Sequence, residues 1–297
     1  HVSEKKTKGS DDGDDDDTKK SGDDKSGDDG NDKERSLIFG KYNFESQEEW
    51  GEQLVGAKKS RIYKCSWNSA DKSKRTPVLI AGVDHDIAVS SPQLTPDETG
   101  IVFVGYSVQK RRIGLVYCTQ RQNDLYHLTF GDDPAKKNTV EKITPDGEWN
   151  VLRPVFSPDG TQLIYLTTGR VPCHNTCKRL VSMSWLSKQT RVVVDFVQDS
   201  ASADEFPGLY CNDLSYKCWT SDSKFIYVNN TWRSVDALLK IDMSTGRVQR
   251  IATSQPNHSI FMVNKTADDR IIACETSPSL PYRLMISAPS SSSSPSD

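Results

Sequence analysis

Between residues 37 and 288 the apolar residues come in short runs, each stopped by Pro, Asp, Gly, Ser or Thr. Ile101-Val-Phe-Val104, Leu163-Ile-Tyr-Leu166 and Phe225-Ile-Tyr-Val228 are apolar at every position rather than at alternate ones. Such runs predict strands covered on both faces, as in stacked sheets. No window of about 12 residues keeps apolar side chains at i, i+3, i+4 and i+7 free of turn formers, which argues against amphipathic helices. A βαβ reading, and with it a dinucleotide-binding or α/β-hydrolase domain within these limits, is therefore excluded.

The runs belong to a repeat. Ser91-Pro-Gln-Leu-Thr-Pro-Asp97 before Ile101 matches Arg153-Pro-Val-Phe-Ser-Pro-Asp159 before Leu163. A third copy runs from Lys217 through Asp222 to Val228, and a weaker fourth from Val263 through Asp268 to Ala273. The aspartates are 62, 63 and 46 residues apart, the range of four-stranded blades with variable loops. Pro158 presets φ, Asp159 suits the next corner, and Gly160 accepts the left-handed geometry of a bulged hairpin. Further strands follow each hairpin at Leu125–Leu128, Leu180–Trp185, Ala237–Met243 and Arg283–Ser287, with closing strands at Arg191–Val194 and Arg247–Ile251. Arg61–Cys65 and Pro77–Ile80 supply part of an earlier unit. The fold predicted is all-β: a β-propeller over residues 37–288, with four recognisable four-stranded blades plus part of another, in an incomplete ring.

Composition changes the picture at the ends. Residues 1–35 hold 13 acidic and 8 basic side chains, including Asp14 to Asp17 in a row, and almost no apolar ones. Residues 1–36 are expected to be a disordered acidic loop, because they cannot bury enough surface to offset chain entropy. The spacing of a calcium-binding EF-hand is absent. Residues 289–297, nearly all Ser and Pro, are expected to be a tail or a cut linker. The remaining body carries 28 acidic and 30 basic residues, so it lacks the basic stripe that nucleic-acid binding uses. No run approaches the roughly 20 apolar residues of a membrane-spanning helix. The seven cysteines are odd in number and widely spaced, and no secretory signal follows His1, so a reducing, cytoplasmic setting is expected. Asn229, Asn257 and Asn264 begin N-x-S/T triplets, which matter only in a secreted chain.

Candidate chemistry is sparse. Gly105-Tyr-Ser107-Val-Gln lacks the second glycine of a nucleophile elbow and sits at a strand end with no helix after it. Asp84-His85-Asp86 has the residue types of a general base, but no nucleophile can be named beside it, and a polar loop is the reading favoured. His127 falls within a strand. Cys173-His174-Asn-Thr-Cys177 offers three metal ligands, yet Cys211 and Cys218 are seven apart and form no second zinc knuckle; an inter-blade loop with buried thiols is favoured. Neither phosphate-loop pattern occurs. No catalytic, cofactor or metal residue is assigned.

Several segments do resemble one family. Ala88-Val-Ser-Ser-Pro-Gln-Leu94, Gly114-Leu-Val-Tyr-Cys118-Thr-Gln-Arg121, Arg191-Val-Val-Val-Asp195-Phe-Val197, Gly208-Leu-Tyr-Cys211 with Cys218-Trp219-Thr-Ser-Asp222, Thr276-Ser-Pro-Ser-Leu-Pro281 and Glu49-Trp50-Gly51-Glu52 are similar to segments of the acylaminoacyl-peptidases. The resemblance implies a cytosolic serine peptidase of the prolyl oligopeptidase group, which removes an N-acylated amino acid from blocked short peptides. It implies a propeller placed before a C-terminal α/β-hydrolase domain bearing a Ser-Asp-His triad, and homo-oligomers. None of the triad carries over, because this sequence is expected to stop before that domain; the chain alone should be inactive, and its part is to admit substrates by size. The first blades are expected to be missing too, with the acidic run an enlarged loop of an early blade. Two other readings stand beside this one. A free-standing propeller scaffold, as in WD-repeat or TolB-like proteins, would need a closed ring. A dipeptidyl peptidase would hold a free ammonium with paired carboxylates, for which Glu48-Glu49 is the candidate.

Overall fold

Each aspartate turn in the chain joins two antiparallel strands, and strands follow one another without an intervening helix among the described residues. A computed structural model describes residues 59–65, 77–107, 121–131 and 137–288, apart from 146, 149, 170–174, 201, 203 and 212. The chain divides into two units, His1–Gln47 and Glu48–Asp297, and every described residue lies in the second. The acidic run, Glu48-Glu49 and the Ser/Pro end fall outside the described residues.

Strands β1 (Tyr63–Lys64) and β2 (Val78–Leu79) pair with each other. Sheet I holds β3 (Ile87–Leu94), β4 (Gly100–Ser107), β5 (Asn123–Thr129) and β6 (Thr139–Lys142) in that order. Sheet II holds β7 (Val151–Phe156), β8 (Gln162–Thr167), β9 (Arg179–Ser184) and β10 (Thr190–Val194). Sheet III is β11 (Phe225–Trp232), β12 (Val235–Asp242) and β13 (Val248–Arg250); sheet IV is β14 (Ser259–Lys265), β15 (Ile271–Ser277) and β16 (Leu280–Ile286). Neighbouring strands are antiparallel meanders throughout.

Among the described residues, sheets I and II hold the four strands expected of every repeat, and sheets III and IV hold three. In sheet III the first strand shrinks to the bridge between Trp219 and Ile226, extended by Thr220 N–H to Phe225 C=O and Tyr227 N–H to Cys218 C=O, both 2.8 Å. A turn closed by Cys218 N–H on Ser215 C=O at 3.0 Å ends just before it, so only three residues can pair before the Asp222 turn. Sheet IV has three strands among the described residues. No strand of sheet IV touches β1 or β2 among the described residues.

The continuous apolar strands are buried from both sides. Leu163 and Tyr165 of β8 pack with Val102, Val104 and Leu125 of sheet I. Their neighbours Ile164 and Leu166 pack with Ile226, Val228, Leu239 and Ile241 of sheet III. All four β8 residues are 0% exposed, and full burial contributes about 1.5–3 kcal/mol for each of the three aliphatic ones, Leu163, Ile164 and Leu166. Ile101, Phe103 and Leu128 meet Ile62 and Ile80 on the other side of sheet I, and Leu238 meets Ile260, Met262 and Ala273 of sheet IV. The sheets therefore stack face to face in chain order. On sheet IV, Val263, Tyr282, Leu284 and Ile286 remain exposed.

The aspartate turns repeat down to the atom. Thr95, Ser157 and Thr220 each donate a hydroxyl hydrogen bond to the carboxylate two residues on, at 2.6, 2.5 and 2.6 Å. Each hydroxyl also accepts an N–H five residues on, from Gly100, Gln162 and Phe225, at 3.0 Å. In the fourth copy Thr266 accepts from Arg270, four residues on, at 2.9 Å, so that turn is one residue shorter. Glu98, Gly160, Ser223 and Asp269 all take positive φ at the same corner. The turns also grip each other. A Cβ on Gly160 would lie 2.7 Å from Pro96, Asp159 N–H reaches Ser223 Oγ at 3.2 Å, and Ser221 donates its N–H and hydroxyl to Asp269.

Candidate functional site

The first strands of successive sheets lie beside one another: β3 touches β7, and β7 reaches the segment that opens sheet III. Both β3 and β7 carry a bulge, between Ser90 and Gln93 and between Leu152 and Val155. The bulged residues are Ser91 (φ 50) and Arg153 (φ 47), each followed by proline, which has no N–H to lose from the ladder. Positive φ is strained for a non-glycine residue, and the residue before proline is restricted further.

The bulge on β7 sends Arg153 across to the opening of sheet III. Its Nη2 donates to Asp213 Oδ2 and its Nη1 to the Tyr216 hydroxyl, both at 2.8 Å, and its Nε faces Asp213 Oδ1. The guanidinium carbon lies 5.3 Å from the Tyr216 ring centroid. Around it the edge is held by buried amides. Asn123 of β5 accepts Val151 N–H at 2.7 Å and donates to Asn150, whose own amide reaches Thr168 Oγ1 at 3.2 Å.

The residues singled out in the sequence do not gather there. Ser107 ends β4 on the surface. Asp84, His85 and Asp86 form an exposed turn before β3, with the two ring nitrogens each 3.0 Å from a carboxylate. Their ligand atoms lie within 4.8 Å of one another, a grouping common on surfaces without any ion. His127 of β5 faces Glu141 at 3.3 Å and meets the edge of Trp185 at 5.0 Å. Cys173 and His174 lie outside the described residues, while Cys177 is buried and Cys211 and Cys218 belong to the core between sheets II and III. Burial pushes the Cys211 and Cys218 thiols up to about 12, away from the thiolate that would bind metal or attack a carbonyl. A cleft of about 590 Å³ opens between Lys178, Tyr210, Thr231 and Arg233.

Sequence reasoning missed the Arg153–Asp213–Tyr216 group, whose members are 60 and 63 residues apart. Their one signal was the Arg-Pro pair at the place where sheet I has Ser-Pro.

The architecture defines the class. Puromycin hydrolase has a similar fold, with a TM-score of 0.52 at 14% identity over 77% of this chain and 35% of that one. A puromycin-hydrolyzing peptidase of Mycobacterium tuberculosis gives 0.51 at 12% identity, over 77% and 34%. These neighbours are β-propeller domains of peptidases, and this chain has the same all-β architecture. The family is then fixed by sequence. The profile of the family described as acylamino-acid-releasing enzyme, N-terminal domain, matches residues 14–296, and the chain belongs to that family. The acylamino-acid-releasing enzymes of Rattus norvegicus and Homo sapiens are each 28% identical over 82% of this chain and 31% of theirs. That of Arabidopsis thaliana is 27% identical over 83% and 34%. The chain thus spans about a third of the length of these relatives.

Proposed function

We propose that this chain is the propeller part of a serine peptidase that releases an N-acylated amino acid from blocked short peptides. The family match over residues 14–296 carries this reading, together with the chain's span of a third of relatives named for that release. In the complete protein, a serine of a C-terminal hydrolase domain attacks the carbonyl of the acylated residue. A histidine passes the serine proton to the departing amine as the C–N bond breaks, and backbone N–H groups hold the oxyanion. Water then hydrolyses the acyl-enzyme. The propeller supplies none of these groups; its stacked sheets form a rigid wall that excludes folded proteins and admits short peptides. The complete protein works in the cytoplasm as a homo-oligomer, without cofactor or metal.

The test compares the purified chain with the protein carrying its hydrolase domain, on an acetyl-alanyl reporter and its free-amine counterpart. Turnover of the acetylated form by the complete protein alone is expected. Turnover by this chain unaided, or preference for the free amine, overturns the reading.

A further inference from the structure

We propose that Arg153 is a specificity residue that receives the C-terminal carboxylate of the peptide on its way to the reaction centre. The inference rests on the function proposed above.

The chemistry of the substrate class comes first. A peptide whose amino end is acylated has lost its ammonium. If its side chains are neutral, the one charge left is the carboxylate at its other end. The group that matches a carboxylate best is a guanidinium, which can give two parallel N–H bonds in one plane.

Arg153 is placed and braced for that task. It sits on β7, the first strand of sheet II, which touches β3 of sheet I, and its side chain reaches Asp213 and Tyr216 in the segment that opens sheet III. Its backbone is held at φ 47 ahead of Pro154, and strain of this kind persists where the surrounding structure fixes it. Sheet I has the same bulge but carries Ser91 there, so the bulge belongs to the repeat and the cation is particular to sheet II. A guanidinium has five N–H donors. Asp213 takes one from Nε and one from Nη2, and the Tyr216 hydroxyl takes one from Nη1. One N–H on each of Nη1 and Nη2 remains outside these three bonds, and the side chain keeps a third of its surface exposed, at 33%. Asp213 is more exposed still, at 55%, and grips the guanidinium side-on through Nε and Nη2, so it acts as a brace along one edge of the group. The Tyr216 ring beneath the guanidinium fixes the plane.

The experiment uses the protein with its hydrolase domain and two substrates: an N-acetylated tri-alanine with a free carboxyl end, and the same peptide as its amide. The readout is the ratio of kcat/KM for acid over amide. The wild-type ratio is expected to exceed one, and Arg153→Gln to lower it about tenfold or more, the worth of charge-assisted hydrogen bonds to a carboxylate. Arg153→Lys, which keeps the charge but not the fork, should fall between. The ratio is internal to each variant, so partial loss of folded protein does not move it. An unchanged ratio in both variants, with wild-type turnover intact, overturns this inference and leaves the proposed function standing. No wild-type turnover of either peptide overturns both.

Discussion

Asn229 of β11 binds the backbone of Met262 in both directions: its Nδ2 donates to the Met262 carbonyl at 2.9 Å, and its Oδ1 accepts the Met262 N–H at 2.7 Å. The side-chain amide thus behaves as one more peptide unit, fastening sheet III to β14 of sheet IV. Asn229→Ala leaves both Met262 groups without partners where the residue is buried, and should lower stability by about 1–3 kcal/mol. Urea unfolding measures this, and a loss below about 0.5 kcal/mol contradicts the strap.

Gly246 lies in the turn between β12 and β13 at φ 74, and a Cβ there would come within 2.2 Å of the Val193 carbonyl oxygen. Gly160, at φ 71, would meet only the Pro96 side chain, at 2.7 Å. Alanine at either position should destabilise by roughly 1–3 kcal/mol, with Gly246→Ala the worse because a backbone carbonyl cannot rotate away. Thermal midpoints of the two variants, measured side by side, settle the order.

Glu275 of β15 is 0% exposed and fully engaged. The Ser254 hydroxyl, the Arg283 guanidinium, the Ser254 N–H and His258 hold its carboxyl at about 2, from an ordinary 4.5, against the opposing effect of burial. A depressed carboxyl contributes stability that is fully present above its unfolded value and disappears as pH falls through the folded one. Stability should therefore decline between pH 4.5 and about 2. Asp242, held at about 2 chiefly by the Ser244 hydroxyl, adds to the same decline. In Glu275→Gln the dependence over this window should flatten without vanishing, as read from urea midpoints across the range. An equal slope in variant and wild type would count against the role of Glu275.

Cys211 and Cys218 are buried with thiols near 12, whereas Cys65 is exposed. Alkylation of the native protein at mildly alkaline pH should label Cys65 quickly and spare Cys211 and Cys218 until denaturant is added. Mass spectrometry of the digested protein checks the order, and rapid native labelling of either buried thiol would refute it.

The sequence was most readable where one run of residues carries its own environment. Leu163 to Leu166 announced burial on both faces because apolar side chains stand at odd and even positions alike, and β8 has them on both. Asp159 and Gly160 announced the hairpin for local steric reasons. The hydroxyl two places before each aspartate was in view, yet its part is visible only once it is seen to bond carboxylate and backbone together, which lowers Asp97, Asp159, Asp222 and Asp268 alike. The reduction of a strand to Trp219 was hidden, since a turn at Ser215 rather than any lack of strand formers shortens it. Arg153 and Asp213 meet through the stacking of two sheets, and no periodicity within either segment marks that meeting.

The grips between neighbouring turns reach to both sides. Among the described residues the turn of sheet II holds Pro96 on one side and Ser223 on the other, and that of sheet III holds Asp159 and Asp269. An alteration at residues 157–161 or 220–224 therefore unfastens two junctions at once. A single substitution in either of these turns is thus felt in three sheets, which makes them the least forgiving points of the rim.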